Sequence, residues 1–518
     1  MKDKPRIESQ HTHNSIKGID RNSEKKSAKI AYIALVLILI YFITYLSTHP
    51  MAPSFFDDDT AYEMLAYDVV HGTFYPTTNY YYTARIMQVL PMSIFYLLFG
   101  INFLSSAMWD IIASSLIIII TFYSGRDIYN EYVGVIAALI LSVFPLMVYL
   151  SGTSKETIPM ALFTTLAFYG AMKGYLKNSS KWYFVSGLSI IAAFLASLLG
   201  IIIAVTILVY VIILAFYQRH KKEKRVSLKS VHILSGAIFG IALILLYGFL
   251  ASNNPFIIFQ INIEYITVPS YTHFSVITPY YAILLPPFFD ALSGINIGYI
   301  FYVFYIAIPY LLIKRVKKSY TAIFWALFTL LYLWVGPMKI GMAPFSYSMI
   351  PRGWQYLPII APPVAITIAA FLVNIYESYG KKHLVPTISI ISAVIVFIVY
   401  SSLYLDITAY YGYLNQMLPI FDLANYLNTM PNTTTIYMPL QIPDIEEFML
   451  FNNISRFIYY NLQVPNCSVT KNYDYVITMS GLPNSSMVCP SWTEVYFPEN
   501  RLLPQYSKNY IKLYKVNR

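Results

Sequence analysis

Along the chain, blocks of roughly 17 to 22 mostly apolar residues alternate with short segments rich in Lys, Arg, Pro, Gly or Tyr. A helix rises about 1.5 Å per residue, so blocks of this length match the ~30 Å hydrocarbon layer of a bilayer. Eleven spanning helices are predicted, at 29–48, 103–123, 132–150, 158–176, 182–199, 200–217, 231–252, 296–313, 319–336, 355–376 and 385–405. A further apolar stretch, Ile86 to Gly100, is short and interrupted by Pro91. It is read as re-entrant or interfacial, because counting it as a crossing would place Arg126 outside and invert the following loops. The first 28 residues are polar and basic without apolar periodicity, which predicts a disordered tail. After Leu405 the pattern changes: alternating runs at Thr435 to Met438 and Tyr473 to Thr478, a helical run around Phe421 to Leu427, and many Asn/Pro turns predict a small α/β domain over 406–518.

Composition supports this division. The chain is 57% hydrophobic and only 12% charged, too apolar for a soluble enzyme of 518 residues. The reading is a mainly α, polytopic membrane bundle (29–405) with a small extracytoplasmic α/β domain. With the N-terminus inside, 24 of the 35 Lys and Arg residues, counting Lys29, fall in cytoplasmic segments, as the positive-inside rule requires. The net charge of +10 is thus accounted for by topology and anionic lipid, which leaves nucleic acid without a role. The first apolar block is too long for a signal peptide and lacks a small-x-small site, so it is read as a retained anchor. Both cysteines, Cys467 and Cys489, lie in the C-terminal domain, as do sequons starting at Asn432, Asn453, Asn466 and Asn484. An oxidising, glycosylating compartment fits both, and Cys467–Cys489 is a candidate disulfide. The sequon at Asn178 falls on the cytoplasmic side and is predicted unused. Location in a plasma membrane follows, and the Ile/Tyr-rich composition suits an archaeal one.

The external loop after the first span, 49–102, carries the most informative stretch, FFDDDTAYEMLAYDVVHG from Phe55 to Gly72. Thr60 and Glu63 have capping-box spacing; Tyr62, Leu65, Ala66 and Val69 share one helical face, and His71-Gly72 closes the helix. Asp57, Asp58 and Asp59 therefore precede a helix N-terminus, whose dipole favours the ionised carboxylate. Such a group at a water–lipid boundary can take a proton from a hydroxyl or hold a divalent cation.

The run Asp58-Asp59-Thr60-Ala61-Tyr62, with Ala66 and Gly72, resembles the Asp-Glu-x-x-Tyr-x-x-x-Ala...Gly signature in the first external loop of GT-C integral-membrane glycosyltransferases of the protein mannosyltransferase and aminoarabinose transferase type. Arg85, Leu90-Pro91, Phe99-Gly100, Gly125-Arg126 and Pro145 continue the likeness, which covers the first 220 residues and fades beyond them. It implies a lipid-phosphate sugar as donor, Asp58 as the catalytic carboxylate with Asp59 in place of the usual Glu, and Glu156 as the second acidic residue. Arg352, before a Pro-marked helix start, takes the place of the donor-phosphate arginine; a guanidinium suits phosphate oxygens. Lys155, Arg85 and Lys339 are further candidates for that work. No cofactor is obligatory; a divalent metal, Mg or Mn, at Asp58, Asp59 and Glu156 is an optional occupant.

The expected function is transfer, with inversion, of one mannose-like hexose from a dolichyl or polyprenyl phosphate to a hydroxyl of a glycan, protein or lipid acceptor on the outer face. The rival is a transporter or flippase of lipid-linked sugars. It calls for intramembrane ionisable residues and repeat-like halves, whereas Asp110 is the clear carboxylate within a span and no internal repeat is evident.

Overall fold

The computed structural model describes residues 8–52, 59–220, 228–267, 299–335, 337–340, 347–349, 354–380 and 382–428, and four strands between 436 and 516. The helices, in chain order, are α1 (Glu8–Thr48), α2 (Asp59–His71), α3 (Ile86–Phe99), α4 (Phe103–Ile128), α5 (Glu131–Ser142), α6 (Pro145–Ser151), α7 (Thr157–Lys177) and α8 (Ser180–Ala196). They continue as α9 (Ile202–His220), α10 (His232–Ser252), α11 (Ile257–Thr267), α12 (Ile300–Ile313), α13 (Tyr320–Val335), α14 (Ala361–Tyr379) and α15 (Leu384–Asn428). A hairpin of β1 (Pro337–Ile340) and β2 (Tyr347–Met349) follows α13. Toward the C-terminus β3 (Ile436–Tyr437), β4 (Tyr475–Met479), β5 (Trp492–Tyr496) and β6 (Ile511–Val516) form a sheet of order β3-β4-β6-β5, with β3 and β4 parallel and the other pairs antiparallel.

Among the described residues six helical stretches are long and apolar enough to cross a bilayer, Lys26–Thr48, Phe103–Ile128, Leu198–Phe216, Lys229–Ser252, Gln355–Tyr379 and Leu384–Leu414, or seven if α5 and α6 make one bent span. The protein is a multi-pass membrane protein. The other predicted crossings are helical too, but α8 and α12 are shorter. α7 is buried along most of its length, so neighbouring helices rather than lipid set its composition.

Two expectations shift at the ends. α1 begins at Glu8, so residues 8–28 are helical rather than a disordered tail; once the apolar span has nucleated the helix, propagation into a polar segment is inexpensive. α15 likewise runs through 406, where the composition changes, to Asn428. The kink between α5 and α6 measures 61° and sits just before Pro145, which removes a backbone donor and clashes with the preceding turn.

α14 is the centre of the bundle. Its span is 94% buried, and it packs against α4, α5, α12 and α13. Apolar residues all round, with small Ala365, Ala369 and Ala370 among them, let neighbours approach from every side. α15 is peripheral, with 11% of its span buried. α8 and α10 meet backbone to backbone. A Cβ on Gly187 would strike the Ile233 carbonyl and come within 2.8 Å of Ala237 N, while one on Gly236 would strike the Phe184 carbonyl. Gly187→Leu is therefore expected to force the two helices apart and destabilise the protein by about 1–3 kcal/mol, read as a lower thermal midpoint in detergent. An unchanged midpoint would show that the pair does not pack through these glycines.

Candidate active site

The segments flanking residues 53–58 are held at one end of the bundle by contacts from several elements. After α1 the chain pairs with the α6–α7 junction, where Met51 N–H donates to the Gly152 carbonyl at 2.8 Å. Tyr413 of α15 donates its hydroxyl to the Ala52 carbonyl at 3.2 Å. α2 then starts at Asp59, one residue before the predicted cap Thr60, which lies inside the first turn. Tyr62, Leu65 and Ala66 are buried as predicted, Val69 packs beside them, and the chain leaves at Gly72 with φ +71°.

Asp59 is fully buried, and Lys155 Nζ lies 3.9 Å from its Oδ1, with both side chains at most 1% exposed. The Ser154 backbone N–H donates to Asp59 Oδ2 at 3.5 Å. Glu63 is also buried and accepts the Ser154 hydroxyl. From α3, Gln88 donates to the Ser154 carbonyl at 2.7 Å, and it lies beside the carboxylate of Asp110 in α4. Asp110 is buried within electrostatic reach of Asp59, Glu156 and Glu63. Glu156 is the N-cap residue of α7, 7% exposed and without a side-chain capping bond. Four carboxylates and one lysine from α2, α4 and the α6–α7 junction thus meet in a buried cluster. Such a cluster is stable only when its charges are paired, protonated or bound to a ligand.

Of the residues singled out in the sequence, Asp59 and Lys155 are brought together, and Glu156 lies within electrostatic reach of Asp110. Lys155 pairs with Asp59, which lies on another element. Arg85 sits elsewhere. It caps α3, is 3% exposed, donates from Nη1 to Asn262 Oδ1 of α11 at 2.8 Å, and lies 5.8 Å from the Tyr81 ring. Among the described residues no carboxylate forms an ion pair with Arg85, whose guanidinium is held by the Asn262 amide. Asp58, Arg352, Cys467, Cys489 and the four C-terminal sequons lie outside the described residues, as does the side chain of Lys339. Among the described residues no three acidic, His or Cys side chains come together as a metal site, and Asp58, the remaining member of the expected set, is outside them.

Sequence reasoning missed Gln88 and Ser154 and gave Glu63 only a capping role. Gln88 left a trace, a lone amide within an apolar helix; Ser154 left none.

At the opposite end of the bundle basic and aromatic side chains gather. Asp127 pairs with Arg126 at 3.0 Å and Lys173 at 3.4 Å. Arg126 also donates to Tyr32 of α1 at 2.6 Å, and Lys229 to the Asn178 carbonyl at 3.0 Å. Asp59, Glu63 and Asp110 thus lie at one end, and Arg126, Lys173 and Lys229 at the other.

Residues 86–247, under a third of the chain, match the sequence profile of dolichyl-phosphate-mannose-protein mannosyltransferases. No curated protein matches the chain. The fold is similar to that of ArnT from Cupriavidus metallidurans bound to undecaprenyl phosphate, with TM-score 0.56 and 11% identity over 92% of this chain and 97% of that one. It is similar also to the oligosaccharyltransferase AglB from Archaeoglobus fulgidus, solved with an inhibitory peptide and a dolichol-phosphate, with TM-score 0.51 and 14% identity over 86% of this chain and 69% of that one. The chain has the GT-C fold. In this GT-C protein the profile match begins at α3 and ends in α10, so it takes in Gln88, Asp110 and the Ser154–Glu156 junction but not the acidic loop. At these identities the similarity to both solved proteins is one of fold. The chemistry is argued from the residues of the cluster.

Proposed function

We propose that this GT-C protein is an inverting membrane glycosyltransferase that moves one mannose-like hexose from a polyprenyl or dolichyl phosphate to a hydroxyl of a glycan, protein or lipid acceptor. The observation that carries the reading is the buried pairing of Asp59 with Lys155, next in sequence to Glu156, with Asp110 within electrostatic reach of Asp59 and Glu156. In the proposed reaction Asp58 takes the proton of the acceptor hydroxyl. The oxygen attacks the anomeric carbon from the face opposite the carrier, and the bond from that carbon to the phosphate oxygen breaks, its electron pair leaving with the lipid phosphate. Lys155, Arg85 and Arg352 supply positive charge for the departing phosphate. Arg85 favours this assignment because its guanidinium is buried and is held by a neutral amide, Asn262.

The reading sets the acidic end of the bundle on the outer face, the Arg126–Lys173 end in the cytoplasm, and the C-terminal residues, an α/β domain, outside. It keeps eleven crossings, counting shorter and more polar helices shielded from lipid by their neighbours. Support comes from the gathering of Arg126, Lys173 and Lys229 at the end away from the acidic cluster and from the lipid phosphates bound by ArnT and AglB. The rival, a flippase, drew on Asp110 as an intramembrane carboxylate; its place beside Gln88, within reach of Asp59, favours the transferase.

The test is sugar transfer by purified protein in nanodiscs from a panel of dolichyl- and undecaprenyl-phosphate hexoses. Release of free lipid phosphate matched by a glycosylated acceptor is expected. Movement of intact lipid-linked sugar across a bilayer without cleavage would instead establish the flippase.

A further inference from the structure

The α6–α7 junction holds four hydroxyl or small residues in sequence, Ser151, Gly152, Thr153 and Ser154, all fully or nearly buried. Their bonding separates them. Ser151 returns its hydroxyl to the Met147 carbonyl and Thr153 to the Leu150 carbonyl, both within α6. Such bonds complete the end of their own helix and reach no other element. Ser154 differs: its N–H goes to Asp59, its carbonyl accepts from Gln88, and its hydroxyl goes to Glu63. All three of its polar groups thus serve other parts of the chain, α2 twice and α3 once. Two residues earlier, the Gly152 carbonyl takes the Met51 N–H, and a Cβ there would come within 3.0 Å of Met51 Cε. The junction therefore grips the acidic loop on both sides, at Met51 before Asp57 and Asp58 and at Asp59 after them.

We propose that Ser154 is a positioning residue, which locks the first turns of α2 to the junction and so sets Lys155 against Asp59. The proposal rests on the transferase reading. Lysine reaches its charge across four rotatable bonds, so the place of its ammonium depends on the backbone that carries it. Ser154 is the residue immediately before it, and the Glu63 bond ties that backbone to α2. In the proposed reaction the base side of the site and the donor-phosphate side must keep register, and a misplacement of about 1 Å is worth on the order of 10²-fold in rate. Ser154 touches no reacting atom. It acts through Lys155 and through the loop that carries Asp58.

The experiment compares wild type, Ser154→Ala, Glu63→Ala, Glu63→Gln and the double variant Ser154→Ala with Glu63→Ala. Transfer is measured with a dolichyl- or undecaprenyl-phosphate hexose that the wild type accepts, and affinity with undecaprenyl phosphate as probe. Ser154→Ala and Glu63→Ala are each expected to lower kcat by roughly 10- to 10²-fold, with undecaprenyl phosphate affinity falling less than in Lys155→Met, because the Lys155 charge is displaced rather than removed. Glu63→Gln, whose amide oxygen can still accept the serine hydroxyl, should recover most of what Glu63→Ala loses. The double variant should be no worse than either single one, since both remove one link. A wild-type kcat in Ser154→Ala, or a double variant whose loss is the product of the two single losses, overturns the assignment while leaving the transferase in place. A wild type that cleaves no donor overturns the transferase reading and this assignment with it.

Discussion

Asp58→Asn is expected to lower sugar transfer by about 10²- to 10⁴-fold, the range that a positioned general base contributes. The amide has nearly the carboxylate's shape but cannot take a proton, so folding and donor binding should survive. Asp58 and Asp59 are adjacent, and resemblance to the GT-C signature gives the base role to Asp58. Asp59 is buried, holds the Ser154 N–H and faces Lys155, and on the proposed reading it partners the donor-side cation. Asp59→Asn should accordingly weaken the Lys155 arrangement and reduce transfer less than Asp58→Asn does. A variant Asp58→Asn at full rate beside an inert Asp59→Asn would reverse the two roles. Undecaprenyl phosphate binding, measured alongside the rate, separates a lost base from a lost donor site.

The second large effect concerns stability. Lys155→Met removes the cation from a pair whose members are 1% and 0% exposed, so solvent screening offers little relief. Breaking a buried pair from one side typically costs about 3–5 kcal/mol, because the remaining charge stays desolvated. The expected result is a clear fall in thermal midpoint together with weaker binding of undecaprenyl phosphate. Combining Lys155→Met with Asp59→Asn removes both charges and should recover much of the stability without recovering binding. If Lys155→Met melts like the wild type, the ion pair contributes nothing to folding, and Lys155 serves only the ligand.

Much of this was legible in the sequence, and the reason differs from one feature to the next. Span positions were readable because bilayer thickness imposes a length on an apolar helix, and that constraint is local. The start of α4 at Phe103 shows it well: the apolar run begins there, and Asn102 with Ser105 closes a reciprocal capping box. α2 was readable for the same reason, since its buried face repeats every three to four residues. The count of crossings was less legible. Helices enclosed by others, such as α7, are released from the lipid constraint and need be neither long nor strongly apolar. The tail was misjudged because propensity alone does not report a helix that continues from an already formed span.

Within the site, residue types were legible and pairings were not. Carboxylates beside a membrane announce themselves in a chain with few charges, so Asp58, Asp59 and Glu156 stood out. Arg85 stood out as well, yet its partner Asn262 lies 177 residues away along the chain, a distance no local pattern encodes. Ser154 is one small hydroxyl among several, and only the surroundings of each distinguish the one that joins α2 and α3 from those that close α6.

The sequence by itself determined that this is a multi-pass membrane protein with an acidic run ahead of a short amphipathic helix, because hydrophobic length, periodicity and charge act over a few turns of chain. Only the tertiary structure decided that Lys155 faces Asp59, that Glu63 and Gln88 converge on Ser154, and that Asp110 belongs to the same cluster. Those contacts come from helices brought side by side by packing, where burial makes each polar group depend on a partner far away in sequence.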